Sequence, residues 1–111
     1  MTPITYDDFA KIDIRVGRIV QVEDFPKAKK AAYQLRIDFG ELGVKTSSAQ
    51  ITKYYDKAEL VGNLVLAVVN FPPRQIANFF SEVLTLGVVL GDGDIVLVHP
   101  EREVPLGSRI A

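Results

Sequence analysis

The sequence predicts an all-β fold: a small barrel of about five short strands, with short helices and an extension at each end. Three observations predict it. Apolar residues recur at every second position in several short runs, the period of a half-buried strand. The runs are separated by turn residues, such as Gly40–Gly43 and the Gly-Asp-Gly-Asp of 91–94, and not by regular helices. At 111 residues, with 48% apolar and 24% charged residues, the chain is long enough for one core and too short for two.

The elements follow in order. Thr5 with Asp8 forms a capping-box pattern that starts a short helix near Tyr6–Lys11, with Tyr6, Phe9 and Ala10 on its apolar face. Ile12, Ile14, Val16, Val20 and Val22 share one parity, which gives a long strand over 12–23, and Gly17 in its middle suggests a bend or bulge. Phe25-Pro26 ends that strand, and KAKKAA at 27–32 follows as the densest positive cluster in the chain. It reads as an inter-strand loop, either a solvated lysine loop or part of a ligand surface. Tyr33, Leu35, Ile37 and Phe39 alternate with polar residues in a second strand. Val44–Gln50 makes a third with an unusually polar face, the property of an edge or of a ligand surface. Asp56 with Glu59 caps a short helix ending near Gly62. Leu64–Val69 is a buried strand, stopped by Pro72 and Pro73, which cannot donate to a ladder. The segment to Glu82 reads as a stiff loop with Arg74 on its turn. Val83–Leu90, interrupted by Gly87, the turn at 91–94, Ile95–Val98 and an extended piece over 104–110 complete the chain. A five-stranded, partly open Greek-key barrel with a helix between its third and fourth strands is the OB-fold; a small SH3-like or split barrel is the rival architecture.

Composition excludes several kinds of chemistry. Without cysteine there are no disulfides, thiolates or Cys-based zinc sites, and a single histidine, His99, makes a histidine metal centre unexpected. No metal or cofactor is expected. Ser47, Ser48 and Ser81 have only His99 as a possible base, and it lies just before Pro100 at a strand end; Asp92 and Asp94 sit in a glycine turn. No phosphate-binding glycine motif occurs, so an enzyme is not expected. No apolar run approaches a membrane span and the N-terminus lacks a secretory pattern, so a cytoplasmic protein without membrane insertion is expected.

What remains is binding. The net charge is −1, yet residues 11–57 hold ten Lys/Arg against six Asp/Glu, and residues 75–111 hold two against five. Such asymmetry can orient a polyanion where it becomes spatial. Cations for an RNA backbone are available at Lys27, Lys29, Lys30, Arg36, Lys45, Lys53 and Arg74. Flat or hydrogen-bonding groups are available at Tyr33, Phe79, Phe80, Gln50 and Asn70. The adjacent Phe79 and Phe80 cannot both point inward from an extended segment, and an exposed aromatic there would also suit an unfolded, basic or apolar protein segment.

Seven segments in order carry a closer resemblance: DIRVGRI at 13–19, FPKA at 25–28, VKTSSAQIT at 44–52, LVG at 60–62, NFPPR at 70–74, SEVL at 81–84 and VPLGSR at 104–109. Over nearly its whole length the chain resembles the tRNA-binding OB-domain family, which includes C-terminal domains of some aminoacyl-tRNA synthetases and the EMAP II cytokine. Within that family it is most similar to free-standing members described as export-related chaperones. The resemblance implies tRNA as a partner. It implies Arg74, Ser81 and Glu82 as the RNA surface, with Asn70 at the mouth of the loop. Asn78 stands where the family usually has glycine, and the Phe79-Phe80 pair puts an aromatic where a charged or small residue is expected. The resemblance further implies unfolded preprotein or export machinery as partners. It implies a homodimer in which the terminal extensions meet through Tyr6, Phe9, Leu106 and Ile110. The expected organisation is an N-terminal helical extension (1–11), the OB domain (12–98) and a C-terminal extension (99–111). The expected ligand face joins the Lys27–Lys30 loop, the third strand with Ser47, Ser48 and Gln50, and the segment from Asn70 through Asn78 and Phe80 to Glu82.

Overall fold

The computed structural model describes residues 1–111. Helix α1 (Tyr6–Ala10) precedes strand β1 (Ile14–Asp24), β2 (Tyr33–Asp38), a single 3-10 turn and β3 (Val44–Ala49). Helix α2 (Lys57–Leu60) and β4 (Leu64–Val68) follow. The chain then makes a hairpin of β5 (Arg74–Ile76) and β6 (Phe79–Ser81), the two-residue β7 (Leu84–Thr85), and a second hairpin of β8 (Gly87–Val89) and β9 (Ile95–Leu97). Five strands form one antiparallel sheet in the order β3-β2-β1-β4-β7, curled until its two edge strands approach: an OB-like barrel.

The long first strand makes the curl possible. Its first half, Ile14–Arg18, pairs with β4, and its second half, Arg18–Asp24, pairs with β2. The open side of its first half is taken by the C-terminal segment: Val16 and Ile110 donate to Ser108 and Ile14 carbonyls, and Gly107 donates to Val16. Inside lie Ile19, Leu35, Ile37, Phe39, Val65 and Ala67, with Leu60 of α2 completing the same cluster, all fully buried.

Three expectations change. The bulge falls at Val20, between Ile19 and Gln21, and not at Gly17, whose pairing with Val65 is regular. Ile19 faces the core with the same parity as Gly17, the extra residue Val20 faces out, and past the bulge Val22 turns back against the core. Gly17 instead answers a close approach: a Cβ there would lie 2.4 Å from Ile37 Cγ2 and 2.7 Å from Phe39. The expected single strand over 83–90 is two, because β7 pairs with β4 whereas β8 pairs with β9. Finally, the supposed loop after Pro73 is the β5–β6 hairpin. Its turn places Ala77, and not Asn78, in the left-handed region, at φ 53°. Both capped helices are present. The Asp56 N–H donates to the Glu59 carboxylate, and Thr5 and Asp8 exchange bonds through their side chains.

Gly17→Ala should therefore destabilise the fold by about 1–3 kcal/mol through overpacking against Ile37 and Phe39. Val20→Thr at the exposed bulge should stay within about 0.5 kcal/mol. Urea denaturation midpoints of the two variants provide the comparison.

Candidate macromolecule-binding groove

The barrel seam is closed at one end by a few backbone and side-chain hydrogen bonds and open at the other. At the closed end, the Thr46 carbonyl of β3 accepts from the Glu82 and Val83 N–H groups at 2.8 and 3.1 Å. The Thr46 N–H donates to Glu82 Oε1 at 3.0 Å, and its hydroxyl lies 2.7 Å from the Phe80 carbonyl and 2.9 Å from Glu82 Oε1. One step along the edge, the Ser81 hydroxyl accepts from Ser48 N–H at 3.0 Å and donates to the Val83 carbonyl at 3.2 Å. Inside the seam the Thr85 hydroxyl donates to that of Ser47 at 2.8 Å. Thus Ser81 and Glu82, expected at a ligand surface, act in the barrel as a clasp between β3 and the end of β6 with its link to β7.

Past the clasp, a groove of about 890 Å³ opens between the lysine loop, the end of β3, β5, and the β7–β9 wall. It is lined by Lys27, Lys29, Lys30, Ser48, Gln50 and Arg74 from the expected face. None of the four cations, Lys27, Lys29, Lys30 and Arg74, is in an ion pair; the ion pairs of the chain all join other residues. The wall is apolar: Ile76, Leu84, Leu86, Val89, Ile95 and Leu97.

The remaining expected residues lie elsewhere. Ser47 is a correction: it is fully buried, pointing into the barrel with Ala49, because inward and outward positions alternate along β3. Arg36 lies on the outer side of β2, by a separate cleft of about 40 Å³. Lys45 is half-buried at the other end of β3. Lys53 is held by both turn carboxylates, 2.9 Å from Asp92 Oδ2 and 2.8 Å from Asp94 Oδ2. Those bonds raise its pKa, and the Lys53 ammonium together with the Asp94 backbone N–H holds Asp92 below the usual aspartate value. Asn70 uses both ends of its amide on the backbone, accepting from Asp13 N–H at 2.9 Å and donating to the Lys11 carbonyl at 2.7 Å, which anchors the N-terminal segment. Asn78 sits in the hairpin turn outside the groove. Phe80 is 56% exposed opposite Gln75, whereas Phe79 packs edge-on against Phe25. Tyr33 is buried, its hydroxyl donating to the Tyr55 carbonyl.

The apolar wall was missed by sequence reasoning, although a signal existed. Leu86–Leu90 contains no polar residue, so a period of two must turn some of its side chains outward. Val89 is 70% exposed as a result.

Residues 14–109 match the family described as "Putative tRNA binding domain". The chaperone CsaA of Bacillus anthracis superposes with a TM-score of 0.95 at 48% identity, over 99% of this chain and 100% of that one. The CsaA chaperone of Picrophilus torridus does so with a TM-score of 0.91 at 57% identity, over 98% and 100%. The methionine–tRNA ligase of Pyrococcus abyssi is 37% identical over 108 residues; these are 96% of this chain and 14% of that enzyme's length.

The clasp yields a stability test. Glu82→Ala leaves the Thr46 N–H without its carboxylate partner and should cost about 1–3 kcal/mol, and Glu82→Gln, which keeps an acceptor, should cost less. Amide hydrogen exchange at Thr46 and Ser48 should accelerate in Glu82→Ala and Ser81→Ala respectively, relative to the amides of β1.

Proposed function

The chain belongs to the tRNA-binding domain family, and from that premise we propose that it binds folded tRNA in the groove beside the clasp. The observation that carries this reading is the convergence of Lys27, Lys29 and Lys30 from the β1–β2 loop and Arg74 from strand β5, with no carboxylate paired to any of them. Phosphates are the complementary ligand, and ordered cations fix register on a nucleic-acid backbone. No aromatic side chain lines the groove. A single strand held by stacked bases would need one, so a folded RNA recognised by its shape fits better.

The role is binding without catalysis. The His99 ring contacts the Pro100 carbonyl, while the Ser47 and Ser81 hydroxyls are engaged with Thr85, Ser48 and Val83 and with no base. We extend this reading to a cytoplasmic chaperone acting in protein export; the similarity to two proteins described as chaperones supports its chaperone part. The apolar wall of the groove favours a second reading, a preprotein-binding chaperone with no physiological RNA ligand. Either protein would be a homodimer joined through its termini. Tyr6 is 75% exposed on α1 with Phe9 beside it, ring centroids 6.4 Å apart, and Leu106 and Ile110 are half-exposed on the C-terminal segment.

Titration with tRNA over a salt series tests the RNA reading. Four phosphate contacts imply a log–log slope of about −3 to −4 and about a hundredfold loss between 50 and 200 mM salt. Arg74→Ala should weaken binding for all tRNA species and make the slope shallower by about 1. It should leave the melting temperature unchanged, because the Arg74 side chain has no intramolecular partner. Absence of binding at the lowest salt would reject the reading. For the dimer, Tyr6→Asp should halve the mass seen by light scattering; an unchanged mass would place the interface elsewhere.

A further inference from the structure

The groove's chemistry is divided in a way that phosphate binding alone does not use. One side is a rim of unpaired cations on the β1–β2 loop and on Arg74. The other is a wall of aliphatic side chains, Leu84, Leu86 and Val89 with Ile95 and Leu97 behind them. An RNA backbone would engage the rim and leave this wall in water. The groove, at about 890 Å³, is at the upper end of the ~300–1,000 Å³ range of ligand pockets, and takes several residues of a chain in place of one side chain.

Two unsatisfied backbone edges border the same space. Strand β5 belongs to a two-stranded sheet and pairs only with β6, so its other edge carries free N–H and C=O groups. Across from it, the Gln50 N–H and C=O, just beyond the end of β3, make no bond within the chain. Exposed backbone of this kind is what an extended peptide pairs with. Such a peptide sends successive side chains to opposite sides, one set to the wall and the other to the rim. The rim has no carboxylate, so a basic peptide has nothing to pair with there.

We propose that the groove is a docking site for an extended protein segment in which acidic residues alternate with aliphatic ones, acids facing Lys27, Lys29, Lys30 and Arg74 and aliphatic side chains facing the β7–β9 wall. The charge is opposite to that of the basic segment which, beside an apolar one, the sequence suggested. The rim is shared with the RNA reading, so tRNA and such a segment exclude each other. The peptide site itself does not depend on RNA being a physiological ligand.

Three fluorescein-labelled nonapeptides test this on the unmodified protein by fluorescence anisotropy: Val/Leu alternating with Glu, Val/Leu alternating with Lys, and Ser alternating with Glu. The first should bind about tenfold or more tighter than either other, since losing even one buried aliphatic contact changes affinity by that order. Unlabelled tRNA should displace it. Val89→Ser should weaken the first peptide and leave tRNA affinity unchanged, whereas Arg74→Glu should weaken both. Equal binding of the Ser/Glu peptide would reduce the groove to an anion site and overturn the proposal. Equal binding of the Lys peptide would overturn its charge assignment. Binding of tRNA with no peptide bound overturns it while sparing the RNA reading. Binding of the first peptide with no tRNA bound upholds it and rejects the RNA reading.

Discussion

The closure of the barrel seam at Thr46 is the constraint on which the rest of the structure depends. An open five-stranded sheet has two free edges, here those of β3 and β7, and a barrel forms only when they are held together. The chain does not zip them with a full ladder. Thr46 gives both its backbone groups and its hydroxyl to the 80–83 segment, and Ser81 captures the next N–H of β3. Each such bond contributes only about 0.5–1.5 kcal/mol net, somewhat more where the Glu82 carboxylate is the acceptor. Their effect is chiefly geometric. They set where β3 stops being paired, and the groove begins at that point, with Ser48 on its margin and Gln50 inside it.

The same clasp positions the cation on the far side of the groove. Arg74 stands directly across the β5–β6 hairpin from Ser81, and Ser81 is bonded to β3. The guanidinium is therefore referenced to the barrel through one cross-strand pair and one hydrogen bond, although its own side chain is unencumbered. Pro72 and Pro73 stiffen the approach on the other side by fixing φ and restricting the residues before them. Asn70 closes this arrangement at its base, because its amide ties the exit of β4 to Lys11 and Asp13. A polar segment that read as one ligand loop is thus divided. Asn70, Ser81 and Glu82 hold structure, and Arg74 is left free to meet a partner.

Much of the barrel was legible because it rests on local patterns: the alternation in Tyr33–Phe39, both capping boxes and the turn at 91–94. The misplacements share one cause, which is that pairing partners are not written in a local period. Gly17 looked like a bulge because a missing side chain within a strand has two explanations, and the crowding by Ile37 and Phe39 that decides between them is non-local. The β5–β6 hairpin was hidden by the prolines, and Val83–Leu90 looked continuous because the change of partner at Leu86 leaves no mark on hydropathy. At the site, residue type was a fair guide to which groups are polar and a poor guide to which are unoccupied. Lys53 and Asn70 carry suitable atoms, and the fold already uses them.

That distinction also resolves the charge balance. The excess of cations over 11–57 does not become a uniformly positive face, because half of those cations, five of ten, have carboxylates of their own. Lys53 has Asp92 and Asp94, Lys57 has Asp24, Arg18 has Glu103, and Arg15 has Asp13. Partners drawn from the acidic C-terminal third cancel part of the asymmetry in space, through Arg18 and Lys53. The lysine loop and Arg74 escape that cancellation and face an aliphatic wall that holds few competing dipoles. Charges beside low-dielectric walls project their field into the opening instead of dispersing it. A chain with a net charge of −1 can in this way present a concentrated anion-attracting groove, and the attraction depends on which cations lack a partner and not on the total.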